Sequence, residues 1–168
     1  MNPDHPDIKC LPTRIGTVEM VFEETVHYDL PLNDLSRTEW FALMSPWSHG
    51  GFVRLGRDKR AYGVAISHQL HCVVMLGQAL ANASNPNADI YHVHHCLDYL
   101  RQVFLCESDT TLEPGDFELR NYTATPEYNP RTCRDWSAIF GAMEANYKEW
   151  EAWYAGKFSY LPIILNNK

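Results

Sequence analysis

The sequence predicts a mainly α-helical single domain with minor β structure, and three observations carry that prediction. Apolar residues recur at helical spacing from Ser67 to about Ala81 and again from about Asp89 to Glu107. A third stretch, from about Cys133 to Ala155, repeats the pattern with a stripe of aromatic residues. The length of 168 residues, 45% of them apolar and 12% aromatic, suits one compact domain, residues 1–168, with a core that needs no external staples.

Taken in order, Pro3, Pro6 and Pro12 make residues 1–16 an irregular arm, since proline lacks the donor that regular structure needs. Thr17 to His27 alternates weakly, with Val18, Met20 and Phe22 on one side, and predicts a strand. Residues 29–50 hold Pro31, Pro46 and Gly50 around a short apolar run at Trp40, Phe41 and Leu43. They predict a helical turn or two, capped by Ser36 with Glu39 as box partner. The first long helix carries Leu70, Val73, Val74, Leu76 and Leu80, with Ser67 at its N-cap. Asp89 caps the second, whose stripe is Leu97, Leu100, Val103 and Phe104. Residues 108–131 contain Pro114, Gly115, Pro126 and Pro130, so loops are expected, with at most short strands around Phe117 to Tyr122. A Thr132-x-x-Asp135 capping box opens the last helix, Trp136, Ile139, Phe140, Met143, Tyr147, Trp150 and Tyr154 give its apolar stripe, and Gly156 ends it.

A net charge of −7, with the 14 Lys and Arg scattered, leaves no basic surface for a phosphate backbone, which excludes nucleic acid as a partner. No run of 18 apolar residues spans a membrane, and the opening MNPDHPDIKCLPTR lacks the layout of a signal peptide. On residues alone the chain is expected to be soluble.

The chemistry lies in a repeat. The pattern H-x-x-H-C occurs at His68, His71, Cys72 and at His92, His95, Cys96, every position offset by 24 residues. Histidines at i and i+3 share one side of a helix, so two such helices can surround one ion or two, between their N-terminal ends. Imidazole selects the first-row transition metals over calcium or magnesium. In a tight hairpin the first pair would lie roughly 20 Å from the turn and the second about 6 Å, at ~1.5 Å per residue. A shared site therefore requires residues 82–88 to run back along the first helix; otherwise there are two sites. Cys72 and Cys96 hold equivalent places, and they either bridge as a disulfide or serve as thiolate ligands, which would favour zinc or Cu(I).

The second motif continues as Tyr91-His-Val-His-His-Cys-Leu-Asp-Tyr-Leu-Arg101-Gln and then Cys106-Glu-Ser-Asp109-Thr-Thr-Leu-Glu113, and Cys133-Arg-Asp-Trp136 follows. These segments resemble the UstYa-like family of fungal tailoring proteins, over about residues 60–140. The resemblance implies a copper-dependent enzyme that oxidises C–H bonds of a small-molecule or peptide natural product, by cyclisation, hydroxylation, desaturation or chlorination. His68, His71, His92 and His95 become its copper ligands, for one ion or two, with zinc the alternative. A metal-independent cyclase and a non-catalytic zinc-binding module are the competing classes, and a homo- or heterodimer is compatible with each. The oxidative chemistry favours the disulfide for Cys72 and Cys96, and Cys106 with Cys133 could form a second, leaving Cys10 odd. Asp109 is the candidate to accept a hydrogen bond from a ligand imidazole. Tyr62, Tyr91 and Tyr99 lie near the motifs, and His49 and His94 are further histidines without a motif place. Family members typically begin with a membrane-spanning helix that holds them in a secretory lumen; without one, this chain is expected either in that lumen or soluble in the cytoplasm.

Overall fold

The computed structural model describes residues 10–22, 25–30, 33–44, 49–82, 84, 89–112 and 129–158. Among them are four helices and two two-stranded antiparallel sheets, so the fold is mainly α with minor β.

The first sheet joins two distant parts of the chain. Strand β1, Thr17–Phe22, pairs with a strand at Asn129–Arg134, Thr17 facing Arg134 and Phe22 facing Asn129. This corrects two expectations: β1 stops at Phe22 rather than His27, and Cys133 belongs to a strand, not to the last helix. The ladder satisfies the backbone groups that a helix would otherwise have bonded. Asp135, not Thr132, then closes the helix start, its carboxylate accepting the Ser137 backbone N–H at 3.1 Å and the Ser137 hydroxyl at 2.5 Å. That hydroxyl is the main reason the Asp135 carboxyl lies below its ordinary pKa.

Helix α1, Asp34–Ala42, is capped by Asn33 rather than Ser36. The Asn33 amide oxygen accepts the Ser36 N–H at 2.9 Å and the Ser36 hydroxyl accepts the Asn33 N–H at 3.0 Å, so Ser36 is the box partner. Glu39 is thereby free to accept the Tyr28 N–H at 2.9 Å and to meet His27 at 2.5 Å.

The second sheet was not expected. Strands β2, Phe52–Leu55, and β3, Arg60–Gly63, form a hairpin whose turn places Gly56 at φ 74° and Lys59 at φ 50°. Alternation puts Val53 and Leu55 inward, against Met143 of the last helix, with Tyr62, Val64, Ile139 and Phe140 around them. The buried Asn146 fixes the hairpin to that helix: its side chain accepts the Arg54 N–H at 2.6 Å and donates to the Arg54 carbonyl at 3.0 Å.

Helix α2, Ala65–Ala81, starts two residues earlier than Ser67, with Val64 at the N-cap and no side-chain cap. Helix α3, Ile90–Glu107, follows the expected bounds, with Asp89 accepting the Tyr91 N–H at 3.3 Å. Strand β4 is the Asn129–Arg134 segment, and α4 runs Trp136–Phe158, through Gly156, which is helical. The strands expected near Phe117 to Tyr122 lie outside the described residues. Among the described residues no helix is long and apolar enough to cross a membrane.

Candidate functional site

The i, i+3 spacing does what helical geometry demands, and the two motifs meet in one cluster. The outer histidines face each other, His68 and His95, with ring centroids 5.5 Å apart. So do the inner ones, His71 and His92, also at 5.5 Å. Within a motif the rings stand 6.4 Å and 6.5 Å apart. Helix α2 runs on past His71 to Ala81, whereas α3 begins only two residues before His92. Residues 83 and 85–88 of the connection, expected to run back along the first helix, lie outside the described residues.

Below the rings lies a buried seam of Cys72, Cys96 and Leu100, with Met75, Leu76 and Tyr99 packed on it. Each member has a counterpart 24 residues away: Cys72 and Cys96, Met75 and Tyr99, Leu76 and Leu100. All five cysteines are free thiols; Cys72 and Cys96 touch and have no exposure. Burial first, and the Cys96 sulfur second, push the Cys72 thiol up to about 12, which disfavours the thiolate at Cys72. Cys106 is exposed on α3, and Cys133 is half-buried in β4.

Closest of the ring contacts is His68 Nε2 to His95 Nε2, 3.4 Å. Two nitrogen ligands at ~2.0–2.1 Å around one tetrahedral ion stand about 3.3 Å apart, so this pair has a ligand spacing. As placed, no three His, Cys, Asp or Glu side chains among the described residues are close enough to hold one ion together. Burial, then His95 and His92, lower the His68 pKa; burial, then His92 and His68, lower that of His71. Both shifts favour the neutral ring, the form that binds a metal.

A cavity of about 850 Å³ lies apart from the rings, between β1, α1, α2 and α4. A second, of about 670 Å³, is lined by His68, His71 and Tyr99 together with Gly51, Phe52 and Met44. Gly51 is needed there: at φ 83° it sits so close to α2 that a Cβ would lie 2.7 Å from Ser67 Cβ. The side chain of His49 lies outside the described residues.

Of the three tyrosines, Tyr99 reaches the cluster, its ring 4.2 Å from His68 and 6.2 Å from His95. Tyr62 packs in the hairpin core, and Tyr91 is 81% exposed. Asp109 takes the Arg131 guanidinium at 2.8 Å and Thr111 at 2.9 and 2.7 Å, rather than an imidazole. His94 is exposed, beside Asp98. The residue that sequence reasoning missed is Met44, whose sulfur lies 3.4 Å from His71 Nδ1. Nothing in the sequence signals it, because it belongs to a different element, just past α1.

Paired imidazoles from two helices thus cluster beside an open cavity, and comparison with known proteins names the family. The family model described as mycotoxin biosynthesis protein UstYa matches residues 42–150, both motifs included. The chain belongs to the UstYa family. It is similar to UstYa family oxidase phomYe of Diaporthe leptostromiformis, 35% identical over 104 residues, covering 56% of this chain and 34% of the relative. Oxidase ustYa of Aspergillus flavus is 36% identical over 86 residues, covering 49% and 40%. Chlorinase cctP2 of Talaromyces islandicus is 32% identical over 83 residues, covering 46% and 26%. The chain thus spans less than half the length of these curated relatives. No solved structure matches it significantly.

Proposed function

We propose that this chain carries the metal site of an oxidative tailoring enzyme of fungal secondary metabolism, with copper held by His68, His71, His92 and His95. The single observation that carries the reading is the facing of four imidazoles, two from each helix, two of which, His68 and His71, line a cavity of about 670 Å³. Relatives named as oxidases and as a chlorinase support redox chemistry on a C–H bond of a small molecule or peptide. The thiols are buried beneath the rings, which favours an all-imidazole donor set and therefore copper over a thiolate-rich zinc module.

Copper, when bound, supplies the activation of oxygen or peroxide that these side chains cannot perform alone. The protein's part follows from its own geometry. His68 and His95 offer facing nitrogens, and the lowered basicity of His68 keeps protons from competing for its ring. Tyr99 packs against the His68 ring and holds its plane, while the apolar wall at Phe52 and Val64 gives a substrate a dry surface beside the rings.

Reconstitution with Cu(II) followed by EPR tests the assignment. The wild-type chain is expected to bind copper with nitrogen hyperfine structure. His71→Ala and His95→Ala should each lose more than the ~10–100-fold in affinity that removing a supporting neighbour costs. Unchanged copper binding in both variants refutes the ligand assignment, and full turnover in a copper-free preparation refutes the oxidase.

A further inference from the structure

We infer that Met44 selects the metal-binding tautomer of His71. A neutral imidazole carries its proton on one nitrogen and leaves a lone pair on the other, so a partner at one nitrogen decides which is free. Met44 Sδ sits 3.4 Å from His71 Nδ1. A thioether accepts a hydrogen bond and cannot donate one, so the contact requires the proton on Nδ1, with Nδ1–H donating to sulfur. Nε2 is then the nitrogen with the lone pair. A free histidine side chain in water prefers the opposite tautomer, Nε2–H.

Met44 is a positioning residue with a fixed seat. Its backbone N–H bonds to the Phe41 carbonyl at 3.0 Å, in the closing turn of α1. That helix is held at its other end by the Asn33–Ser36 box and on its side by the contact of Tyr28 with Trp40. Met44 and His71 also line the same cavity, together with His68 and Tyr99. The position of α1 is therefore transmitted to one ring of the cluster through a single sulfur, the role that carboxylates and carbonyls fill at many metal-bound histidines.

The inference gives a metal-site role to Met44 and so rests on the copper reading, but its test does not. Long-range proton–nitrogen NMR on metal-free, histidine-labelled protein, above the imidazole pKa, reads the His71 tautomer directly. The wild type should show Nδ1–H. Met44→Leu keeps the bulk and removes the acceptor, and should move His71 toward Nε2–H. Met44→Gln, whose carbonyl can accept, should restore Nδ1–H. Copper affinity should fall about tenfold in Met44→Leu, the lower end for loss of a supporting hydrogen bond. Nε2–H in the wild type, or an unchanged tautomer in Met44→Leu, overturns the inference. A wild-type chain that shows Nδ1–H and its loss in Met44→Leu, yet binds no copper, overturns the copper reading and leaves the tautomer assignment standing.

Discussion

The hairpin core and the α2–α3 seam are both small, yet they settle their polar groups differently. Around Val53, Leu55 and Met143 the buried polar side chain is Asn146, and both ends of its amide are paired with the Arg54 backbone. Around Cys72, Cys96 and Leu100 four imidazoles crowd together, and among the described residues their hydrogen bonds are to one another and to a thioether. Fully satisfied polar groups rigidify a core, while clustered, weakly satisfied ones cost stability and persist where function needs them. By that contrast the first region is the frame and the second the candidate site.

Three experiments bear on that division. Met143→Ala empties the centre of the frame, where the side chain has no exposure, and should cost about 2–5 kcal/mol in urea unfolding while leaving copper affinity unchanged. A parallel loss of copper affinity would show that the two regions are one unit. Asn146→Ala leaves the Arg54 N–H and carbonyl without partners and should cost about 2 kcal/mol by the same measurement. A loss within error would mean that water replaces the amide and the frame is looser than its hydrogen bonds imply.

The smallest effect belongs to the site. His68 and His71 titrate lower in the folded chain than the ~6.5 of an unfolded one, so the folded state binds fewer protons and stability rises with pH. Their contribution is complete above the unfolded value and is lost as pH falls through the folded one. The urea midpoint of the metal-free protein should decrease from about pH 8 to about pH 5.5, above the range where carboxylates titrate. A variant carrying both His68→Gln and His71→Gln should show a flatter dependence. An equally steep one would assign the proton linkage elsewhere.

Local physics made the site more legible than the frame. Helices α2 and α3 were readable to within two residues because their periodicity is carried by the segments themselves, and the doubled motif marked the histidines. The frame depends on partners remote in sequence. The segment at Thr132 and Cys133 reads equally well as a helix start until β1 is laid beside it, and the hairpin's inward Val53 and Leu55 take their meaning from Met143. The same reason hid Met44, whose role exists only once α1 packs near His71. The α1 cap falls on Asn33 and not on the expected Ser36 because both residue types suit that position.

The touching sulfurs of Cys72 and Cys96 lead to one more consequence. Exchanging the two motifs carries His68 into His92 and His71 into His95, turns the outer contact into the inner one, and maps the sulfur contact onto itself. The paired distances, 5.5 with 5.5 Å and 6.4 with 6.5 Å, obey that exchange. The site is therefore an approximate two-fold, with its axis passing between the sulfurs, an isologous dimer interface contained in a single chain. What distinguishes its halves is whatever breaks the symmetry: Tyr99 where the other half has Met75, and Met44 on His71. Two near-equal half-sites made unequal by three side chains give the protein a direction across the cluster that the repeat alone would not.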